Sequence, residues 1–249
     1  MGLLNDNWCV IIPMANEEHN FHPLIARLKE MMDRLQSGKV YLVVDTVSLD
    51  DTRRLCEMAS TEDDRFATVW SPENRNIVDA YMRGYNAALE NKHEIIIEMD
   101  AGLSHDPYAL PMFLRVLNEG NQCAFGSRFI NGGSIVDSHI RRRFLSKAGS
   151  LLANICLGTK LWDMTSGYQG FAREIVEKFV KLELRSTGHF YQTELRFLLK
   201  KTRYMEVPIH YRAPSPNVNI NSILNSLKCL VYYTFMRLFN RVEYLKIKY

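Results

Sequence analysis

Residues 94–107 hold the densest set of side chains able to do chemistry. Asp100 follows the β-branched run Ile95-Ile96-Ile97; His105 and Asp106 come close behind, and Gly102, Ser104 and Pro107 break the pattern into a loop. Such a run is the signature of a strand buried on both faces of a parallel sheet. In open α/β sheets, ligands bind beyond the carboxyl ends of the strands. A carboxylate placed there can face a cation or a hydroxyl of a ligand. The same residues also fit a solvated acidic turn, since Asp106-Pro107 is a good helix start. Two other strand ends repeat the theme: residues 8–12, closed by Pro13, lead into Asn16-Glu17, and residues 40–44 end on Asp45. Three acidic strand ends converging on one crevice suit a nucleotide held by ribose hydroxyls and a cation.

The elements that must position these groups alternate. Leu24, Ile25, Leu28, Met31 and Met32 recur at helical spacing after the first strand, and Thr52 opens a second helix carrying Leu55 and Met58. A third strand over 67–70, a helix over 75–91 with Ala80, Gly84, Ala87 and Ala88, and the strand ending at Asp100 complete four strand–helix steps. Such alternation predicts an α/β, Rossmann-like, doubly wound and mostly parallel sheet. Neither G-x-G-x-x-G after the first strand nor G-x-x-x-x-G-K-[ST] occurs, which argues against a dinucleotide fold and a P-loop enzyme. Downstream, a strand over 122–125 leads into Gly126-Ser127-Arg128, and Arg141-Arg142-Arg143 opens a helix to about Leu157. A short strand over 168–171, helices near 173–182 and 190–201, a strand over 205–209 and a loop over 213–221 follow.

The bulk numbers are those of one large domain, or a domain with a C-terminal appendage: 249 residues, 47% hydrophobic and 24% charged. A net charge of +3 is too weak to argue for nucleic acid as a partner. Five cysteines, odd in number and without a C-x-x-C pair, fit reduced thiols in a cytoplasm better than a disulfide framework or a zinc site. The N-terminus reads as no signal peptide, and no apolar run approaches the 18 residues of a membrane span. The expected location is therefore cytoplasmic, or peripheral on the cytoplasmic face of a membrane.

Taken together, the motifs resemble glycosyltransferase family 2 with the GT-A fold, in its dolichyl-phosphate (polyprenyl-phosphate) mannose synthase-like branch. The resemblance runs from Val10 to about Tyr211. Pro13-x-x-Asn16-Glu17 is similar to the first nucleotide loop, residues 43–52 to the second, and residues 99–107 to the metal-binding loop. Gly126-Ser127-Arg128, Gly132-Gly133, Arg142-x-x-x-Ser146, Asp163-x-Thr165-Ser166-Gly167-Tyr168, Gln192-x-Glu194 and Glu206-Val207-Pro208-Ile209 follow in family order. The resemblance implies an inverting transferase that moves a sugar from a GDP- or UDP-linked donor to a polyprenyl phosphate or lipid-linked acceptor. Pro13, Asn16, Glu17, Asp45, Asp100 and Arg212 would then hold the donor, Asp100 facing a magnesium or manganese ion and the diphosphate. Arg128, Arg142 and Ser146 match positions that hold an acceptor phosphate, and guanidinium groups suit a phosphate through charge-assisted hydrogen bonds. The same arginines could instead be a solvated basic face. A phosphate acceptor needs no strong base; a glycan hydroxyl would, and Asp163 and Glu194 are the candidates. Gln192 and Glu194, two apart on a helix, cannot share a face well, so one faces the site and the other packs.

Two departures stand out. Gly102 occupies the place of the second aspartate of Asp-x-Asp, so Asp100 would hold a weakly bound cation almost alone, with His105 and Asp106 at hand or serving only as helix-start residues. The basic run after Val-Pro-Ile is replaced by Pro214, Asn217, Asn219 and Ile220, with Arg212 nearby. These losses keep a third reading open, a non-catalytic sugar-nucleotide-binding or scaffold protein. The expected division is a GT-A domain over 1–221 and a helical tail over 222–249. From Ile223 the tail carries Lys228, Arg237, Arg241, Lys246 and Lys248 against Glu243 alone, net +4. Thr234, Arg237, Arg241 and Lys248 fall roughly on one helical face. An aromatic, basic, amphipathic helix suits an anionic membrane surface, the domain's own core, or a second copy in a homodimer.

Overall fold

A computed structural model describes residues 6–73, 76–136, 140–212 and 220–245, without the side chains of 140–142, 145, 220 and 221. The chain forms a seven-stranded sheet in the order β3-β2-β1-β4-β7-β5-β8. Its first half alternates as the sequence predicts: β1 (Trp8–Met14), α1 (Glu18–Leu35), β2 (Lys39–Val44), α2 (Thr52–Glu62), β3 (Phe66–Trp70), α3 (Ile77–Glu90) and β4 (Ile95–Glu98). These four strands pair parallel, with β1 between β2 and β4. The second half adds α4 (Leu110–Asn118), β5 (Cys123–Ser127), β6 (Ser134–Val136), α5 (Ile140–Leu157), β7 (Gln169–Ala172), α6 (Arg173–Phe179), α7 (Phe190–Leu198), β8 (Tyr204–Pro208), β9 (His210–Arg212) and α8 (Ile220–Leu238).

Successive side chains of a strand point to opposite faces, and this divides the interior in two. Val10, Ile12, Ile95 and Ile97 pack with the buried faces of α1, α2 and α4, including Leu24, Leu28, Leu55 and Phe113. Cys9, Ile11 and Ile96 face the other way, into a core shared with α3, α6, α7 and α8. Gly84 on α3 lies so close to β1 that a Cβ there would sit 2.3 Å from Ile11 Cγ2. Gly84→Ala is therefore expected to destabilise the fold by about 1–3 kcal/mol through overpacking, despite alanine's better helix propensity. A urea midpoint at or above wild type would contradict that contact.

Several expectations shift. Pro13 does not close β1 but lies inside it. Ile11 O accepts from Met99 N–H, so position 13 turns its missing N–H to the same side, beyond the end of β4, where it is not needed. β4 stops at Glu98 and Asp100 stands in the following loop. β7 runs antiparallel between β4 and β5, a direction that no periodicity could reveal. A parallel two-stranded ribbon of β6 and β9 was not foreseen; at three residues each, the strands are too short to show alternation. On α2, Met58 is largely exposed while Cys56 and Ala59 join Leu55 in the core. The tail is helical only to Leu238. Asn240 takes a positive φ of 53°, and Leu245 N–H returns to Leu198 O.

Candidate active site

The acidic strand ends meet in one cleft of about 770 Å³, a size suited to a nucleotide or drug-sized ligand. Pro13, Glu17, Asp45, Asp100 and Gly102 line one end of it. Asn16 does not face the ligand space. Its backbone is left-handed (φ 56°), its side-chain oxygen accepts from Leu49 N–H at 2.9 Å, and its N–H donates to Ser48 Oγ at 3.1 Å. It staples the first loop to the second. Glu17 N–H donates to Thr52 Oγ1 at 2.8 Å, tying the same two loops together. Burial raises the Glu17 pKa, Asn20 counters it with a 2.9 Å hydrogen bond, and the nearby Asp100 and Asp50 charges add to the rise.

Asp100 is held from both sides. Tyr81 O–H donates to its Oδ1 at 2.9 Å, and its backbone N–H donates to His105 Nδ1 at 3.0 Å. Burial lowers the His105 pKa, and an Nδ1 that accepts leaves the proton of the neutral ring on Nε2. The imidazole lies against the rings of Tyr168 and Tyr211, with centroids 5.0 and 5.6 Å away. His105 thus shapes the loop from inside. Asp106 Oδ1 accepts from Tyr108 N–H at 3.1 Å, the helix-start role. Neither residue lines the cleft beside Asp100.

Beneath the loop, Tyr85 and Tyr191 each donate to Glu98 Oε2 at 2.5 Å, and Gln169 donates to Oε1 at 2.7 Å. Burial pushes the Glu98 pKa up to about 7 against the pull of these three bonds. In the sequence Glu98 carries no functional expectation, standing inside a buried strand. An acid inside an isoleucine run was the signal, because a buried carboxylate requires partners.

At the next wall, Arg128 is 8% exposed and pairs with Asp163 through Nε at 2.7 Å and Nη2 at 2.8 Å. Nη2 also donates to Thr165 Oγ1 at 2.6 Å, which leaves Nη1 to reach a ligand. Arg196, fully buried, backs this loop by donating to the carbonyls of Asp163 and Ser166 and to Gln169 Oε1, and burial lowers its pKa to about 10. Asp163, read as a candidate base, is therefore committed. Despite burial, the Arg128 charge beside it holds its pKa at about 2, far too low to take a proton from a hydroxyl. Glu194 is committed as well. It accepts from Arg185 N–H at 2.7 Å, Ser186 N–H at 2.9 Å and Tyr233 O–H, linking α7 to α8 away from the cleft.

Gln192 turns the other way. It is 3% exposed, lines the cleft, and its Nε2 has no hydrogen-bond partner among the described residues. It closes on Asp100 over Gly167: a Cβ there would lie 2.7 Å from Gln192 Nε2 and 3.1 Å from Asp100 Oδ1. His189, at the start of α7, also lines the cleft and carried no sequence signal. Arg212 sits on exposed β9 with its N–H on Ser104 O at 3.0 Å; its neighbour Tyr211, not Arg212, lines the cleft. Ser146 lies on α5, three residues before Gly149 of the lining. The Arg142 side chain, residues 213–219 with Pro214, Asn217 and Asn219, and the Ile220 side chain lie outside the described residues.

α5 and α8 give the cleft a largely apolar wall, with Leu152 and Ala153 of α5 and Ile223, Leu227 and Leu230 of α8 beside Ser222 and Ser226. Outside it, Phe144, Leu151 and Ile155 on α5 and Leu224, Val231, Phe235 and Leu238 on α8 are exposed. The basic face expected on the tail is not what α8 presents. Arg237 Nη1 donates to Ile155 O and Cys156 O at 2.9 Å, where a cation meets the negative end of α5. Arg241 lies past the helix end, and Lys246 and Lys248 are outside the described residues.

Comparison with known proteins gives a consistent result. The model of the family described as glycosyl transferase family 2 matches residues 9–180. The polyprenol monophosphomannose synthase of Mycolicibacterium smegmatis is 31% identical over 205 residues, covering 81% of this chain and 76% of that protein. The undecaprenyl-phosphate mannosyltransferase of Micrococcus luteus is 30% identical over 203 residues, covering 81% and 82%. Among solved structures, glucosyl-3-phosphoglycerate synthase from Mycobacterium tuberculosis, in complex with Mn2+, UDP and phosphoglyceric acid, superimposes with a TM-score of 0.67. It is 18% identical, over 97% of this chain and 80% of that one.

Proposed function

Since the chain belongs to glycosyltransferase family 2, we propose that it transfers a sugar, with inversion, from a nucleoside-diphosphate sugar to a polyprenyl phosphate. The fold is GT-A, and the chain is a glycosyltransferase. One observation carries the finer reading: a single cleft joins an acidic strand-end pocket, a buried arginine whose Nη1 makes no hydrogen bond to the described residues, and a largely apolar wall from α5 and α8. These three features match the three parts that such a reaction brings together: a nucleoside diphosphate, an acceptor phosphate and an isoprenoid. Both relatives named above carry polyprenyl-phosphate mannose transfer in their names.

Asp45 and Pro13 border the nucleoside, and Asp100 borders the diphosphate. Arg128, with Ser146 and Arg142, receives the acceptor phosphate. Among the described residues no cluster of three or more His, Cys, Asp or Glu could hold an ion by itself. Asp100, partly exposed at the cleft, nevertheless fits a magnesium-type ion, which commonly takes one or two carboxylates and completes its shell with water and phosphate oxygens. When bound, such a cation neutralises the leaving diphosphate. An acceptor phosphate is already a competent nucleophile, in keeping with Asp163 and Glu194 being committed to other contacts. Among the described residues no helix is long and apolar enough to cross a membrane. The exposed apolar rows on α5 and α8 suit a helix pair resting in the headgroup boundary, beside a lipid-linked acceptor.

A thermal-shift series with GDP and UDP, each with EDTA, magnesium or manganese, tests the donor half. The expected result is a rise of several degrees for one nucleotide, larger with metal than without. No shift with either nucleotide under any condition would favour the scaffold reading.

A further inference from the structure

Gly102 stands where a second carboxylate would serve the cation, yet the space a side chain there would fill already borders one. Among the described residues, a Cβ built at Gly102 meets only the Glu17 carboxylate within 4 Å, Oε1 at 3.6 Å and Oε2 at 3.8 Å. Oε2 accepts from Asn20, while Oε1, the oxygen nearer Gly102, accepts no hydrogen bond from the described residues. Glu17 comes from the β1–α1 loop, and Thr52 fixes its backbone N–H at 2.8 Å, so the carboxylate is delivered from a braced position.

Glu17 and Asp100 line the same cleft, with Asn20 and Tyr81 as their side-chain donors, and two carboxylates facing one space leave charge that a cation would satisfy. An independent observation points to what arrives with it. Gln192 Nε2, more than nine-tenths buried and without a partner among the described residues, aims into the same part of the cleft. It meets Asp100 over Gly167, whose missing Cβ would contact both. A buried N–H2 donor lacks only an acceptor oxygen, and carboxylates lack only a cation. A divalent cation carrying a diphosphate supplies both.

Resting on the transferase reading above, we infer that Glu17 takes over the role of the second metal carboxylate, from the loop facing Gly102. Glu17 is then a cation ligand in partnership with Asp100, not a ribose ligand, and Gln192 donates to a diphosphate oxygen. The loss at position 102 is compensated from another loop, so a bare Asp100 is not the whole donor set.

The test is Mn2+ titration of the full chain with GDP or UDP, following free Mn2+ by electron paramagnetic resonance, and nucleotide titration in EDTA. Glu17→Gln is expected to weaken Mn2+ binding about tenfold or more, with metal-free nucleotide affinity changed less than about twofold, below one bond's usual worth. Gly102→Asp in the Glu17→Gln background is expected to restore Mn2+ affinity, because the space beside Gly102 is open to a side chain. Unchanged Mn2+ affinity in Glu17→Gln would overturn the inference while leaving the transferase reading intact. So would an equal loss of nucleotide affinity in EDTA, which would make Glu17 a ribose ligand. A wild-type chain that binds neither nucleotide with Mn2+ would overturn the transferase reading and the inference with it.

Discussion

Asp163→Ala is expected to destabilise the protein by about 3–5 kcal/mol, the range for breaking a buried ion pair by removing one partner. The reason is specific to this wall. Asp163 is fully buried and accepts three hydrogen bonds from Arg128, two from the guanidinium and one from the backbone N–H, and one from Thr165 N–H. Removing it leaves Arg128 and Arg196 as adjacent buried cations. By contrast, Arg53→Ala, which breaks an exposed i,i+4 pair with Glu57 and a cation–π contact with the Trp70 ring, is expected to change stability by about 1 kcal/mol. Urea unfolding of the three proteins checks both values, and an Asp163→Ala loss below that of Arg53→Ala would refute the ion-pair assignment. The pH dependence follows with a definite sign. The folded pKa of Asp163 is about 2, below the roughly 3.9 of an unfolded aspartate. Its stabilisation is therefore fully present above about pH 4 and is lost as pH falls towards 2.

Asp100→Asn is expected to lower kcat/KM by about 10²–10³-fold, the usual cost of losing one preorganised electrostatic partner of the transition state. The substitution keeps an oxygen for Tyr81 O–H and does not touch the backbone N–H that donates to His105. Loop geometry should survive, and unfolding midpoints should stay close to wild type. The loss should fall mainly on the metal-dependent rate, because the negative charge is what the cation side of the site requires. An Asp100→Asn enzyme with activity within about threefold of wild type would show that this carboxylate does not serve the leaving diphosphate.

Much of this is legible in the sequence. The strand–helix alternation and the buried face of α1 follow from local patterns with a fixed period, and the acids at the strand ends, Glu17, Asp45 and Asp100, line one cleft because parallel strands end on one edge of the sheet. What escaped depends on partners distant in sequence. Asp163 looks like a free carboxylate until Arg128, 35 residues away, is folded against it. Glu194 looks like a base until α8 brings Tyr233 to it. The split between Gln192 and Glu194 could be anticipated from helical geometry, but not which of them would face the cleft. Asn16 matched a donor motif and proved to be a loop staple, since its motif encodes backbone shape as much as contact. The antiparallel direction of β7 and the end of α8 at Leu238 arise from packing rather than from any repeat in the residues.

The central claim is transfer to a phosphate that is carried on an isoprenoid. Its most direct measurement presents a detergent-solubilised polyprenyl phosphate and the polyprenol of the same length, side by side, with GDP- and UDP-sugars and magnesium or manganese. Lipid products are read by mass spectrometry. The account predicts a glycosyl phosphopolyprenol from one donor, none from the free alcohol, and loss of the product in Asp100→Asn. Glycosylation of the alcohol but not the phosphate, or no lipid product from any donor by a chain that binds the nucleotide, would contradict it.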